Sequence, residues 1–485
     1  SAFWFNGYNQ SWSPAYDAVS VDGQVFLTDN SYGLLKKDKT SYQILLPNGP
    51  YSNTVNQIVS KNGTVYTTGG IPSAQWSKLG FYKYEDSRWS NYNALNISGL
   101  SKILNVNFIT IDNGNANHIF ASSYGYGVME FRDTVLINHF NQDNNPLENL
   151  QGATAGYILT SGIEYDNSGD IWVTSSLTQN TLYHYKPGGE WQAFDLEGNI
   201  ALSTTRSLIN TPWGHMWFID KGYGLVAFDP EKLKTGDLTN GYKRFKVYGN
   251  DNNILSSNIT TLAVDKTNYI WVGLDKGGLA VYYSPQSILD NTIAAGRIIV
   301  ESDGFGQYLL DNELVSTIAV DAANRKWVGT ETGGVFLISE DGSSQILNLN
   351  KNNSKLISNF VRDIEIDDET GWVYIGTDEG IVAYYSGIID QQSVQKKLKV
   401  YPNPVSENYN GLVRIEGVID NMNIKISDPA GNLVFETTAT GGVGLWNMLD
   451  FNAKRVSTGV YLIYASSPDG SQTAISKIFV ASHEQ

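Results

Sequence analysis

The chain has 485 residues, of which 12% are aromatic and 17% charged, with 47 Gly, 13 Pro and no Cys. Its formal net charge of −16 argues against electrostatic binding of nucleic acid, which needs clustered Lys and Arg. The lack of Cys excludes a disulfide scaffold, a thiol nucleophile and thiolate metal ligands, while the abundance of Tyr, Trp and Gly predicts an all-β protein.

The sequence starts Ser1, Ala2, Phe3, Trp4, without Met or a basic leader, and Phe3 to Phe5 reads as the middle of a strand. A chain cut from a longer protein is therefore expected in preference to one that has lost a signal peptide. No apolar run approaches the roughly 18–20 residues that a membrane-spanning helix needs.

A repeat then occupies most of the sequence. Faint copies come first, at Ala18 to Leu34, Gln57 to Tyr66, Ile109 to Met129, Ile163 to Val173 and Leu208 to Val226. The clearest copy runs from Ile259 to Asp265, through Ile270 to Gly273, to Gly277 and Tyr282. The next has Val315 to Asp321, then Trp327 to Gly329, then Gly333 to Phe336. In both, Asp precedes Trp by six residues. A third clear copy spans Val361 to Asp367, Val373 to Gly376 and Gly380 to Val382.

Each copy reads as short strands separated by Asn, Asp and Gly turns, with a fourth strand such as Tyr242 to Tyr248 completing the unit. Four strands per unit, at a period of about 35 to 55 residues, predict β-propeller blades. Trp is expected to pack between blades and Gly to supply positive φ in the turns. Eight copies are legible, so the ring has either eight blades or seven, with the first copy belonging to a neighbouring propeller.

The repeat carries little chemistry. The five His residues (His118, His139, His184, His215 and His483) fall in separate regions without ligand-like spacing. The carboxylates Asp367, Asp368, Glu369, Asp378 and Glu379 recur where blades turn. The Asn- and Asp-rich turns 141–145 and 249–253 contain cation ligands but do not match an EF-hand loop. No Gly-rich loop opens a helix, so nucleotide binding is not expected. No cofactor, metal or catalytic residue is assigned, and the protein is read as non-enzymatic.

After Gly387 the repeat ends, and a polar segment, 390–399, contains Lys396, Lys397 and Lys399. Short alternating strands follow at Val413 to Ile415, Ile424 to Ile426, Leu433 to Phe435, Val460 to Tyr464 and Ile475 to Val480. Their rhythm predicts a small immunoglobulin-like β-sandwich. The expected division is a propeller over 1–390 and a sandwich over 399–485.

The motifs of this last segment resemble the type A sorting domain of type IX secretion. They are Tyr401, Pro402, Asn403 and Pro404; Asp428 with Gly431; Trp446; Gly459 with Tyr461; and Lys477. The propeller copies resemble those of bacterial extracytoplasmic sensors, as at 268–278 and 324–334. The segments 46–50, 125–132, 144–148, 408–411 and 431–442 extend the likeness to the PorZ family.

That resemblance implies a non-enzymatic component of the type IX attachment complex at the cell surface, associated with the outer membrane. Its implied partners are the sortase PorU, PorV and PorQ, together with anionic lipopolysaccharide. The sorting domain would then be a retained docking module. PorZ proteins carry two propellers, whereas this length fits one. The alternative is a secreted, glycan-binding propeller cargo whose sorting domain is removed on export. Lys396, Lys397, Lys399, Lys454 and Arg455 are candidate contacts for an anionic glycan, set against their reading as a solvated linker and turn.

Overall fold

A computed structural model describes residues 15–482, apart from short stretches at 30–32, 38–41, 46–47, 71–76, 95, 134, 154–155, 197–203, 303–304 and 391–397. The first copy forms a four-stranded antiparallel sheet from Ala15–Val21, Gln24–Asp29, Gly33–Lys37 and Tyr42–Leu45. Seven further blades follow, the second and third of them joined edge to edge in one sheet. Their first strands are β1 (Gln57–Lys61), β2 (Val106–Asp112), β3 (Ile158–Tyr165), β4 (Thr205–Asn210), β5 (Ile259–Val264), β6 (Val315–Val320) and β7 (Val361–Asp367).

These seven strands pack in chain order around a common axis, and β7 returns to pack on β1. The ring is therefore a seven-bladed propeller between Gln57 and Tyr385, and the sheet at 15–45 lies outside it. Of the two blade counts that the sequence allows, seven is the one the closure selects.

The Asp–Trp spacing has a direct cause. The indole Nε1 of Trp172 donates to Asp166 (2.9 Å), that of Trp271 to Asp265 (2.8 Å) and that of Trp327 to Asp321 (3.1 Å). The second carboxylate oxygen accepts from the turn that follows, as when Asp265 Oδ1 takes Thr267 N and Tyr269 N, both at 2.9 Å. One Asp thus folds the turn and anchors the buried Trp. A cation completes each of these sites, Arg325 Nε donating to Asp321 at 2.8 Å. Lys326 Nζ, with its side chain fully buried, lies 3.0 Å from Asp265 and 4.7 Å from the Trp271 ring centre, and Lys234 lies 2.8 Å from Asp166.

The Gly that follows Trp in the repeat has another role than the expected one. Gly273, Gly329 and Gly376 sit inside strands with ordinary φ. A Cβ on Gly329 would fall 2.5 Å from Val361 of the next blade, and one on Gly273 would fall 2.8 Å from Val315. Gly is needed there for close packing between blades. Turn glycines with positive φ also occur, such as Gly334 at +83°.

The seventh blade has three strands among the described residues, and its outer one is β8 (Gly380–Tyr385). Beyond it lie two sheets. One joins β9 (Lys399–Tyr401), β10 (Val413–Glu416) and β13 (Val443–Trp446). The other joins β12 (Leu433–Thr438), β11 (Asn423–Ser427), β14 (Gly459–Ser466) and β15 (Thr473–Val480). They enclose one apolar core that includes Val413, Ile415, Ile424, Ile426, Trp446 and Ile463.

Candidate functional site

Two places concentrate chemistry: the channel at the propeller axis and the sandwich. The first strand of every blade faces the axis, and together they line a cavity of about 520 Å³. In β3 to β7 the strand is bulged near its start, between Thr160 and Gly162, Arg206 and Leu208, Ile259 and Thr261, Val315 and Thr317, and Val361 and Asp363. A bulge re-aims one side chain. Here the bulged residues are Ser161, Ser207, Thr260, Ser316 and Arg362, and all but Ser161, which is buried against Ser176, line the cavity. Arg206 and Arg362 both belong to the lining.

Farther along the strands lie carboxylates. Asp363 accepts from Ile58 N (2.6 Å) and Thr317 Oγ1 (3.0 Å), and Glu365 accepts from Ser60 N (2.8 Å) and Ser60 Oγ (3.0 Å). Glu164 accepts from Thr110 Oγ1 (2.9 Å) and Tyr165 N (2.8 Å). Burial raises Glu164 and Asp363 to about 7 and Glu365 to about 8, because ionised carboxylates are poorly solvated there. These groups join neighbouring blades, since each accepts a hydrogen bond from an adjacent first strand. Sequence reading did not single out Glu164, Asp363 or Glu365, which have no motif around them. The one available signal is their place on the first strand of a repeat, two and four residues after its start for Asp363 and Glu365 and six for Glu164.

The histidines are dispersed, as their spacing indicates. His118 lies between Asp112 (Nδ1, 2.8 Å) and Glu130 (Nε2, 2.8 Å), and His184 meets Asp170 at 2.9 Å. His139 Nε2 donates to Tyr126 O (2.7 Å), and burial holds His215 below the usual range. His483 lies outside the described residues. Among the described residues no group of three His, Asp or Glu is arranged to hold a metal ion, the turns 141–145 and 249–253 included.

In the sandwich, Asn403 caps the outer edge of β15. Its Nδ2 donates to Lys477 O (3.0 Å), its Oδ1 accepts from Phe479 N (3.1 Å), and Val405 N then donates to Phe479 O (2.8 Å). The flanking Tyr401–Pro402 and Asn403–Pro404 peptides are both cis. An amide side chain standing in for a neighbouring strand closes an edge that would otherwise pair with other chains. Asp428 accepts from Asn432 N (2.9 Å) and Asn432 Nδ2 (2.8 Å), shaping the turn in which Gly431 adopts φ of +89°. Tyr461 is buried, packs edge-on against Trp446 and donates to Ser457 O (2.8 Å). Gly459 opens β14, and no neighbour would obstruct a Cβ there.

Lys477 projects from the outer face of β15. Around it the cross-strand pairs Val460–Phe479 and Tyr464–Ile475 stand exposed, Ile475 to 63% and Phe479 to 41%. The face is thus apolar with a cation at its centre.

The candidate glycan contacts do not gather. Lys396 and Lys397 lie outside the described residues. Lys399 is exposed at one end of its sheet, paired through β10 with Glu416, whereas Lys454 and Arg455 lie in the loop beyond the other end. Arg455 is engaged by Tyr409 O (3.0 Å) and Ser406 O (3.5 Å).

The sandwich is seated on the seventh blade. Tyr385 of β8 donates to Glu416 (2.8 Å), which Tyr401 also reaches, and Arg414 donates to Ser386 O (3.3 Å). Ile389 N meets Gly441 O at 2.7 Å, and Lys266 bridges Asp368 and Asp390 at 3.6 and 3.2 Å.

Residues 399–481 match the family of secretion system C-terminal sorting domains. The structure of PorZ, a surface component of the type IX secretion system of Porphyromonas gingivalis, superposes with a TM-score of 0.73 at 23% identity. That alignment covers 94% of this chain and 64% of that one, so the chain spans just under two thirds of PorZ. The extracellular domain of a hybrid two-component system from B. thetaiotaomicron aligns with a TM-score of 0.35 at 13% identity, over 96% of this chain and 78% of that one. No curated protein matches. Taken with the geometry, these likenesses show a propeller of the PorZ fold that carries a secretion system C-terminal sorting domain at its end.

Proposed function

We propose that this protein is a resident, non-enzymatic component of the type IX attachment complex at the outer-membrane surface, and that its sorting domain is kept as a docking module. The division between 1–390 and a sandwich over 399–485 belongs to this proposal, with the ring itself running from Gln57 to Tyr385 rather than from the first residue. The observation that carries it is the exposed face of the sandwich, where Val460, Tyr464, Ile475 and Phe479 surround Lys477. A solvent-facing sheet with paired large apolar residues marks a protein contact. The partners would be the sortase PorU with PorV and PorQ, and the assembly would serve delivery of anionic lipopolysaccharide. Lys396, Lys397, Lys399 and Lys454 are secondary candidates for meeting that glycan.

A second reading, a sorted cargo, keeps the same domains but loses the sandwich on export. Seating of the sandwich on β8 through Tyr385, Tyr401 and Glu416 favours retention. The test is the intact mass of native protein recovered from cell surfaces. A chain that still ends beyond Val480 supports a resident component. A chain that ends near Lys399 overturns that reading and leaves the cargo.

A further inference from the structure

The channel holds two cations that the fold does not use. Arg206 and Arg362 line the same cavity, on β4 and β7, the fourth and seventh strands of a seven-membered ring, so they face one another across its axis. Neither forms an ion pair or a hydrogen bond among the described residues, although Glu164, Asp363, Glu365 and Glu331 line the same cavity. Arg206 Nε is buried without a partner among the described residues, and burial lowers the guanidinium's pKa, with Tyr124 acting in the opposite direction. Arg362 lies over the Phe360 ring at 4.7 Å.

This is unusual for arginine. A buried guanidinium normally recovers its lost hydration from a carboxylate or from several carbonyls. The nearby carboxylates are engaged elsewhere, because Asp363 and Glu365 accept from backbone N–H groups of the first blade. Burial also raises those carboxyls, Asp363 to about 7 and Glu365 to about 8, so each is partly protonated near neutral pH and repels an incoming anion less. The same lining includes the hydroxyl residues Ser207, Thr260 and Ser316, and Ser316 Oγ is a buried atom with no partner among the described residues.

We infer that the propeller channel is a binding site for a small oxyanion, a phosphate or carboxylate group borne by a sugar-sized molecule. Arg206 and Arg362 hold the charge from opposite sides, and the hydroxyls of Ser207, Thr260 and Ser316 meet the rest of the ligand. A planar guanidinium matches the spacing of two phosphate or carboxylate oxygens. A cavity of about 520 Å³ accommodates a monosaccharide phosphate. The inference does not depend on the docking role of the sandwich, and the probe molecules need no other protein.

The test is calorimetric titration of the full chain at low salt with inorganic phosphate, glucose 1-phosphate, galacturonate and glucose. Binding of the charged compounds and not of glucose is expected. Arg206→Gln and Arg362→Gln should each weaken it by about tenfold or more, while Lys425→Gln on the sandwich leaves it unchanged. Arg206→Lys, which keeps the charge and loses the fork, should retain part of the affinity, and circular dichroism verifies that each variant is folded. Equal affinity for phosphate and glucose 1-phosphate would identify a free oxyanion as the ligand, and tighter binding of glucose 1-phosphate or galacturonate a sugar-borne one; either supports the site. Absence of binding for all three charged compounds overturns it, as does binding that survives the double Gln variant.

Discussion

The junction between the fifth and sixth blades and the seam between the seventh and first solve the same packing problem with different chemistry. The first is apolar. Ten buried residues, among them Trp271, Leu279, Val281, Val315 and Ile338, form one cluster, and Lys326 is enclosed between Asp265 and the Trp271 ring. The seam has a cluster of only four buried residues, Val55, Ile58, Val65 and Tyr374. In place of apolar area it has three carboxylates on alternate residues of β7. Asp363 takes Ile58 N, Glu365 takes Ser60 N and Asp367 takes Gly63 N at 2.7 Å.

The difference follows from chain order. Neighbouring blades meet as soon as they are made, whereas the seam joins residues some 305 positions apart. The entropic cost of that closure grows only slowly with length, so area alone need not be greater there. Register is the harder requirement, because β1 and β7 must meet without a turn to align them. Three directional hydrogen bonds are satisfied together in one register, which apolar contact does not specify.

The largest expected effect lies at the apolar junction. Trp271→Ala should cost about 3–5 kcal/mol, measured by denaturant unfolding, since a fully buried indole is lost and Lys326 is left without its ring. A loss below about 1 kcal/mol would show that this junction is not what holds the blades together.

Glycine substitution sharpens the contrast. Gly273→Ala and Gly376→Ala place a methyl 2.8 Å from Val315 and 2.5 Å from Val55 respectively. Each should destabilise by about 1–3 kcal/mol. A smaller loss for Gly376→Ala would mean that the seam yields more readily than the interior.

The carboxylates can be tested by truncation and by pH. Asp363→Ala and Glu365→Ala each leave a buried backbone N–H unpaired, at about 1–3 kcal/mol. In the native chain these carboxyls, together with Glu164, bind protons more tightly folded than unfolded. Stability from this source is complete below about pH 4, where the unfolded carboxyls are still protonated, and is lost as pH rises to about 7–8. His215 acts in the opposite sense, because burial favours its neutral form and its contribution grows as pH rises through the ordinary His range. Thermal unfolding from pH 5 to 8 should therefore show a decline that flattens in the Asp363→Asn, Glu365→Gln double variant. An unchanged slope would remove these groups from the seam's energetics.

Tyr385→Phe has the smallest expected effect, about 0.5–1.5 kcal/mol, since it removes one hydrogen bond to Glu416. Faster proteolysis between 386 and 398 in the variant would show the sandwich loosening from the seventh blade. Identical cleavage rates would mean that Ile389, Arg414 and Lys266 hold it without the tyrosine.

Much of the fold was legible because its signals are local. The six-residue Asp–Trp interval marks one turn and one hydrogen bond, and it recurs wherever a blade is built on that plan. The strands of the sandwich are equally local. Blade number was not legible, since it depends on whether Val361–Asp367 returns to Gln57–Lys61 or to Ala15–Val21, and nothing near either strand encodes that choice. Gly273, Gly329 and Gly376 were assigned to turns because a close approach across blades leaves the same letter as a positive φ. The candidate basic contacts failed to gather for a similar reason, as Lys399 and Lys454 are separated by the length of a sheet. Arg206 and Arg362 were passed over because each is a single letter in its own repeat and becomes a pair only when the ring closes.

The sandwich rests on β8, which among the described residues is bonded along one side only, and the chain leaves that strand at Tyr385 for the sandwich. A tensile load applied through the sandwich therefore reaches the propeller at a free end. It would peel β8 from its neighbour one residue pair at a time, beginning where Tyr385 faces Trp372. The seam lies two strands farther in, on β7, and carries none of that load until β8 and its neighbour have been stripped away. The seventh blade thus acts as a mechanical fuse: a chain pulled through its sandwich would surrender its outermost strand first and keep its ring closed.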